Sequence, residues 1–135
     1  MALTSGCLDS GSRTRDGADL QTVLEAGHFA ITVEVLPPTS ADASPLLAAL
    51  ETVAYPPFLG FSVATNPIGR PHMSALAFGA LLQACTGKSA TLHCTTRDHN
   101  RLSIQGLLWR ALALGIGSVL ATTGYRGLCR LRGRG

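Results

Sequence analysis

The sequence has 135 residues, of which 46% are hydrophobic and 14% are charged, and its formal net charge is +3. The length suits one domain with a core of its own, and the low charge argues against a disordered chain. The sequence contains no run of about eighteen uncharged apolar residues, and its N-terminus lacks the pattern of a secretory signal. We therefore expect neither a membrane span nor secretion.

The positive charge is concentrated at the C-terminus. Four of the eleven basic residues lie in the last ten positions, while the first 125 residues carry seven basic and eight acidic residues. The body of the chain is therefore not a basic domain, and a nucleic-acid role would rest on the tail alone. We expect no nucleic-acid partner.

The cysteines indicate a reducing compartment. Cys7, Cys85, Cys94 and Cys129 form no C-x-x-C motif, and without a secretory signal their expected state is a thiol in the cytoplasm, most often buried. His93, Cys94, Asp98 and His99 match no common ligand spacing, so the sequence predicts no metal site.

Helical and β patterns alternate along the chain. Helices are predicted over 18–26, 44–53, 75–84 and 102–114, and strands over 29–36, 61–65, 90–95 and 118–122. Ser44 with Pro45 and Ser74 are predicted to begin two of the helices. Asp98 or Asn100 is predicted to cap the last helix, and Gly115 to end it.

This alternation predicts parallel strands joined by right-handed crossovers. A doubly wound open sheet and part of a (β/α) barrel both fit. We divide the chain into a flexible leader (1–17), the α/β region (18–124) and an irregular tail rich in Arg and Gly (125–135).

Polar residues follow the predicted strands at their carboxyl ends, where parallel α/β folds carry their chemistry. Glu34 is the most informative, because it lies between two valines on a strand expected to be buried. Burial favours the protonated carboxyl group and suits a general acid near neutral pH. A structural ion pair of Glu34 with Arg97 or Arg101 is the equally weighted alternative.

The remaining residues of this group have plainer interpretations as well. His93 in the third strand is more often a hydrogen-bonded core or rim histidine than a ligand contact. Trp109 is predicted to pack where its helix covers the sheet. The group also includes Thr65, Asn66, Thr95, Thr96, Thr122, Thr123 and Gly124.

Six segments, taken together, resemble methylenetetrahydrofolate reductases. They are FAITVEVLPP (29–38), FSVATNP (61–67), HMS (72–74), TRDHNRL (96–102), ALALGI (111–116) and VLATTG (119–124). The resemblance runs from about Leu20 to Gly124 and covers roughly the first half of a barrel of the usual ~250 residues. Each segment alone is a weak signal, and their order makes the set fairly specific.

The resemblance implies a partial (β/α)₈ barrel of about four β/α units with FAD at the carboxyl ends of its strands. It implies that 5,10-methylenetetrahydrofolate is reduced to 5-methyltetrahydrofolate, with a reduced pyridine nucleotide or another donor reducing the flavin. Glu34 matches the family's general acid. His93, Thr65, Thr123 and Gly124 are the implied flavin contacts, and a homo-oligomer is a further expectation.

The sequence departs from the family pattern at two positions. Ala64 stands where the family carries a threonine at the flavin, and Tyr125 stands where it carries an aspartate. Similarity ceases at Tyr125, and the change in composition suggests a frameshift or premature end of the gene.

Four strands cannot close a barrel, so we expect an open edge and a chain that is a poor catalyst alone. A non-catalytic fragment and a folate-binding methyl-transfer module are the alternative functions.

Overall fold

The computed structural model describes residues 20–54 and 58–124 of the chain. These residues form four helices and four strands in alternation. The elements are α1 (Leu20–Glu25), β1 (Thr32–Val35), α2 (Ser44–Val53), β2 (Gly60–Val63), α3 (Ala75–Thr86), β3 (Ser89–Thr95), α4 (Arg101–Ala113) and β4 (Ser118–Thr122). Two short 3₁₀ turns, Pro67–Gly69 and Thr96–Asp98, follow β2 and β3.

The strands form one parallel sheet in the order β1-β2-β3-β4. Glu34 lies opposite Ser62, and Ser62 lies opposite Thr91, so the three residues form a row across the sheet. His93 lies opposite Leu120 in β4. The predicted parallel pairing of the strands is confirmed.

The helices α2, α3 and α4 lie side by side on one face of the sheet, with α3 packed on β2 and β3. Right-handed crossovers between strands in sequential order place every connecting helix on the same face. A doubly wound sheet reverses its strand order and carries helices on both faces. The sequential order therefore distinguishes the two architectures, and the fold is a partial (β/α)₈ barrel.

The core lies between the sheet and this helix layer. Side chains alternate between the two faces of a strand, and the buried set Phe61, Val63 and Leu92 meets Phe78 and Leu82 of α3. Phe58 adds an edge-on contact with the ring of Phe61, with centroids 5.0 Å apart. The alternate residues of each strand therefore lie on the opposite face of the sheet.

Several local signals are confirmed by the structure. The predicted bounds of α2 and β4 are the observed ones. The Asn100 side chain accepts a hydrogen bond from the backbone N–H of Ser103, and the Ser103 hydroxyl accepts one from the backbone N–H of Asn100, which together form a capping box. Gly115 follows α4 in the left-handed region, with φ of 73°.

The predicted cap of α2 is wrong, and the predicted cap of α3 is correct in position but makes no side-chain hydrogen bond. Ser44 is the first residue of α2, and its backbone N–H donates a hydrogen bond to the Asp42 carboxylate at 2.9 Å. The Asp42 side chain, instead of the Ser44 side chain, therefore accepts a hydrogen bond at the start of this helix. This hydrogen bond holds the pKa of Asp42 below its ordinary value. Ser74 precedes α3 but makes no side-chain cap.

Two further predictions are also wrong, one about where the first strand begins and one about which residue of α4 is buried. The first strand is predicted from Phe29 but begins at Thr32, where pairing with β2 begins, and Phe29 is 90% exposed. Trp109 is predicted to cover the sheet but is 68% exposed, because the buried residue of α4 is Ala111. Both errors concern elements at the two ends of the sheet, where a neighbouring element is lacking in the described part of the chain.

β1 and β4 are the edges of the sheet, and each has one neighbouring strand within the described ranges. Whether these edges are open, as predicted, depends also on residues outside the described ranges, so the open edge stays a prediction. None of the helices seen in residues 20–54 and 58–124 is long and apolar enough to cross a bilayer. The proposed leader and tail lie outside the described residues.

The orientation of α3 can be tested with two adjacent leucines. Leu82 is fully buried and Leu81 is 41% exposed, yet the two substitutions to alanine have the same effect on helix propensity. We expect Leu82→Ala to lower the free energy of unfolding by about 2–5 kcal/mol, and Leu81→Ala by about 1 kcal/mol or less. Urea denaturation followed by circular dichroism measures both, and equal losses would contradict this packing.

Candidate functional site

The polar side chains of the strands lie on the face of the sheet opposite α2, α3 and α4. Because Phe61 and Val63 point into the core, Ser62 points to the opposite face, and the same alternation places Thr91 and His93 there. Glu34 joins this face through its pairing with Ser62. In a barrel this is the inner face, and the carboxyl ends of its strands are where active sites form.

Ser62 and His93 are joined by a hydrogen bond, with Ser62 Oγ 2.6 Å from His93 Nε2. Both side chains are half-buried. The bond fixes one ring nitrogen of His93 and holds the imidazole against the sheet. The interpretation of His93 as a hydrogen-bonded rim histidine is therefore correct as far as it goes, and the ring edge that carries Nδ1 faces away from this bond.

Ser62 is missing from the residues singled out in the sequence. The strand pattern contains the signal that could have found it, since Ser62 is the polar residue between the apolar Phe61 and Val63. Its importance depends on register, however. The sequence does not show that this serine comes opposite Glu34 and within hydrogen-bond distance of His93 on the next strand.

Glu34 is exposed, which contradicts the predicted burial of this residue. β1 has a strand neighbour on one side only among the described residues, so its inner face is open to water. The alternative ion pair is also absent. Within the described residues the Glu34 carboxylate has no hydrogen-bond or ion-pair partner, and the Arg97 guanidinium bonds Asp98 instead.

The other predicted contact residues lie at the carboxyl ends of β2 and β4. The Thr65 hydroxyl donates a hydrogen bond to the backbone carbonyl of His93, so it braces the end of β3. Thr123 is exposed and Gly124 half-buried directly after β4. The hydroxyls of Thr95 and Thr122 lie 3.4 Å apart and tie β3 to β4 just below them.

A shallow groove of about 430 Å³ lies beside these strand ends, after β2 and β3. Asn66 and Ile68 in its loop both adopt left-handed backbone conformations, with φ of 42° and 58°, which is strained for a β-branched residue. Two arginines line the groove. Its lining residues are Asn66, Gly69, Arg70, Pro71, Arg97 and Asp98.

Arg97 and Asp98 form a bidentate pair at this groove, with nitrogen–oxygen distances of 2.6 and 2.8 Å. The hydrogen bonds from Arg97 hold the pKa of the Asp98 carboxyl below its ordinary value of 3.8. Asp98 therefore stays ionised at neutral pH. Its carboxylate bonds Arg97 within the loop, and α4 is capped by Asn100 instead.

No cluster of three potential metal ligands exists in the parts of the chain that the structure describes. Cys94 is buried on the core side of β3, and His93 lies on the other face, so these neighbours in sequence point away from each other. The alternation of the strand thereby separates two of the four residues weighed as a metal site.

The comparison with family models agrees with this architecture. The model of methylenetetrahydrofolate reductase matches residues 19–127, which include every strand of the sheet. The chain belongs to the methylenetetrahydrofolate reductase family. A search of curated proteins found no match.

Family membership gives the two departures from the motif a place in the structure. Ala64, which departs from the family motif by lacking a hydroxyl, is buried and donates its backbone N–H to the Val35 carbonyl at 3.1 Å. A hydroxyl is therefore lacking at that point beside His93, and Thr65 is turned to the His93 backbone. Tyr125 lies outside the described residues.

Gly124 offers a test of how this end of the site is built. Its φ of +75° is strained for any other residue, and an added Cβ would overlap the methyl group of Thr95. We expect Gly124→Ala to lower the stability of the protein by at least about 1–2 kcal/mol, the usual cost of a left-handed alanine. Thermal unfolding measures the loss.

Gly117→Ala is the matched control, because a Cβ at Gly117 meets nothing within 4 Å. Adding Thr95→Ser to Gly124→Ala removes the overlapping methyl group and should restore part of the lost stability. A Gly124→Ala protein as stable as the Gly117→Ala protein would contradict the close approach of β3 and Gly124.

Proposed function

We propose that this chain carries the proton-donating and flavin-facing part of a methylenetetrahydrofolate reductase. The reaction reduces 5,10-methylenetetrahydrofolate to 5-methyltetrahydrofolate, with reduced FAD as the hydride donor. The observation that carries the proposal is the position of Glu34, Ser62 and His93 together on the face of the sheet opposite α2, α3 and α4, within the matched region.

The donors and acceptors of this face suit a flavin. An isoalloxazine ring needs hydrogen-bonding groups along its polar edge, and the site offers the free edge of the His93 imidazole and the exposed Thr123 hydroxyl. Gly124 keeps side-chain bulk away from the end of β4. We propose that His93, Thr123 and Gly124 contact FAD, and that Thr65 contributes by fixing the end of β3.

Glu34 is the proposed general acid. Its carboxyl group has no partner among the described residues and is open to a ligand on the inner face, so a bound folate can reach it. A proton from Glu34 opens the five-membered ring of the folate and makes its methylene carbon an acceptor for hydride. Glu34 is exposed within the described residues. The desolvation that favours its protonated carboxyl group must therefore come from the remaining walls of the site.

The groove suits an anionic part of a ligand through Arg70, because the charge of Arg97 is compensated by Asp98, and both the folate and the flavin carry negative charge. We propose a reduced pyridine nucleotide or another donor as the source of electrons, and the cytoplasm as the compartment, in keeping with the thiol cysteines. Because four strands leave the inner face open to water, we expect slow turnover by the isolated chain.

Flavin binding provides the first test. We expect the purified chain to quench FAD fluorescence on titration, and His93→Ala to weaken this binding at least about tenfold, the effect of losing one or two good contacts. His99→Ala is the control, because His99 lies outside the inner face and bonds Ser103. Folate binding without flavin binding would favour the methyl-transfer alternative, and binding of neither would contradict the proposal.

The role of Glu34 is tested in a single turnover, with the chain in excess and prereduced FAD bound. We expect Glu34→Gln to slow reoxidation by methylenetetrahydrofolate about 10²–10⁴-fold, the usual contribution of a general acid, and to leave flavin binding unchanged. Glu51→Gln, which alters an exposed carboxylate on α2, is the control. Equal rates for the two variants would exclude Glu34 as the acid.

A further inference from the structure

Strand β2 holds His93 at two points. The Ser62 hydroxyl lies 2.6 Å from the imidazole Nε2, and the Thr65 hydroxyl donates a hydrogen bond to the backbone carbonyl of His93. On the other side His93 pairs with Leu120 of β4, whose side chain has no hydrogen-bonding atom. The ring of His93 is therefore positioned from β2, and Ser62 is the residue that bonds it.

The direction of the hydrogen bond between Ser62 and His93 decides what the ring presents to a ligand. A neutral imidazole has one N–H donor and one acceptor nitrogen, and the bond made by one nitrogen fixes the state of the other. If Ser62 donates to Nε2, the hydrogen of the ring is on Nδ1. If Nε2 donates to Ser62, then Nδ1 is an acceptor.

The surroundings of Ser62 favour donation by the serine. A hydroxyl that accepts from Nε2 must direct its own proton to a second acceptor. Glu34 lies opposite Ser62 on one side and Thr91 on the other, yet neither side chain is hydrogen-bonded to Ser62. In the part of the chain that the structure describes, the ring nitrogen of His93 is thus the acceptor available to this half-buried hydroxyl.

We propose that Ser62 is a positioning residue that donates to His93 Nε2, so that the ring presents an Nδ1–H donor on the edge facing away from this bond. This donor selects a ligand atom that accepts, either a carbonyl oxygen or an unprotonated ring nitrogen, and an isoalloxazine carries both along its polar edge. The inference rests on the proposed function only in naming the flavin as this ligand, because the tautomer of His93 is set without one.

Nitrogen NMR on the full chain without ligands tests the direction of the bond. Long-range proton–nitrogen correlation spectra distinguish a protonated ring nitrogen from an unprotonated one, and the signals of His93 are those lost in His93→Ala. At a pH of about 8.5, at which an imidazole in water is neutral, we expect the Nδ1–H tautomer to predominate. Any other predominant form would overturn the proposal, and this measurement requires no Ser62 variant to fold.

Three variants separate the contact with His93 from general effects on the sheet. Ser62→Ala removes the hydroxyl, and we expect the tautomers of His93 to become mixed. Ser62→Thr keeps a hydroxyl on a residue that suits a strand and should restore the wild-type spectrum. Thr91→Ala is the matched control, because it removes a hydroxyl from the same row that does not bond His93. A His93 spectrum unaffected by Ser62→Ala would overturn the proposal.

The affinity for FAD shows whether the ligand depends on this donor. We expect Ser62→Ala to weaken FAD binding roughly three- to tenfold, the effect of one lost hydrogen bond. In a His93→Ala background the same substitution should have no effect, since the serine acts through the imidazole. Equal losses in both backgrounds would overturn the proposal. A wild-type chain that binds no FAD would contradict the proposed function, while the spectra of the free chain would still decide the role of Ser62.

Discussion

The handedness of the connections between parallel strands is the constraint on which this structure depends. Four strands in sequential order, joined by crossovers of one hand, place α2, α3 and α4 on one face, and the core forms between these helices and the sheet. The apolar residues of each strand are buried in this core. The alternate residues, among them Ser62 and His93, are left on the other face, so one rule of chain geometry separates the part that stabilises the fold from the part available for chemistry.

Signals carried by a few neighbouring residues could be predicted well. The bounds of α2 and β4, the cap of α4 by Asn100 and the stop at Gly115 depend on backbone conformation and hydrogen bonds within a few residues. The family resemblance also rests on short motifs, and the family match over residues 19–127 confirms it. Such features survive whatever the rest of the molecule does.

Burial could not be predicted in the same way, because it depends on neighbours distant in sequence. Glu34 lies in β1 and Trp109 in α4, at the two ends of the sheet. The next element around a barrel is lacking there in the described residues. An apolar flanking sequence made Glu34 a good candidate for a buried carboxyl, but Val33 and Val35 face the helix side of the strand. Likewise, Ser62 becomes important only through the register that brings it to His93.

The exposed inner face and the two edge strands have one cause within the described residues, which links the chemistry of the site to the completion of the sheet. A general acid needs a surrounding that disfavours its charged form, and that surrounding is the far wall of a barrel. Within the described residues Glu34 is exposed to water, and β1 and β4 each have one neighbouring strand. A segment that covered these two edges would also lower the dielectric around Glu34 and His93. The proton affinity of the proposed acid and the completion of the sheet are therefore physically coupled in this fold.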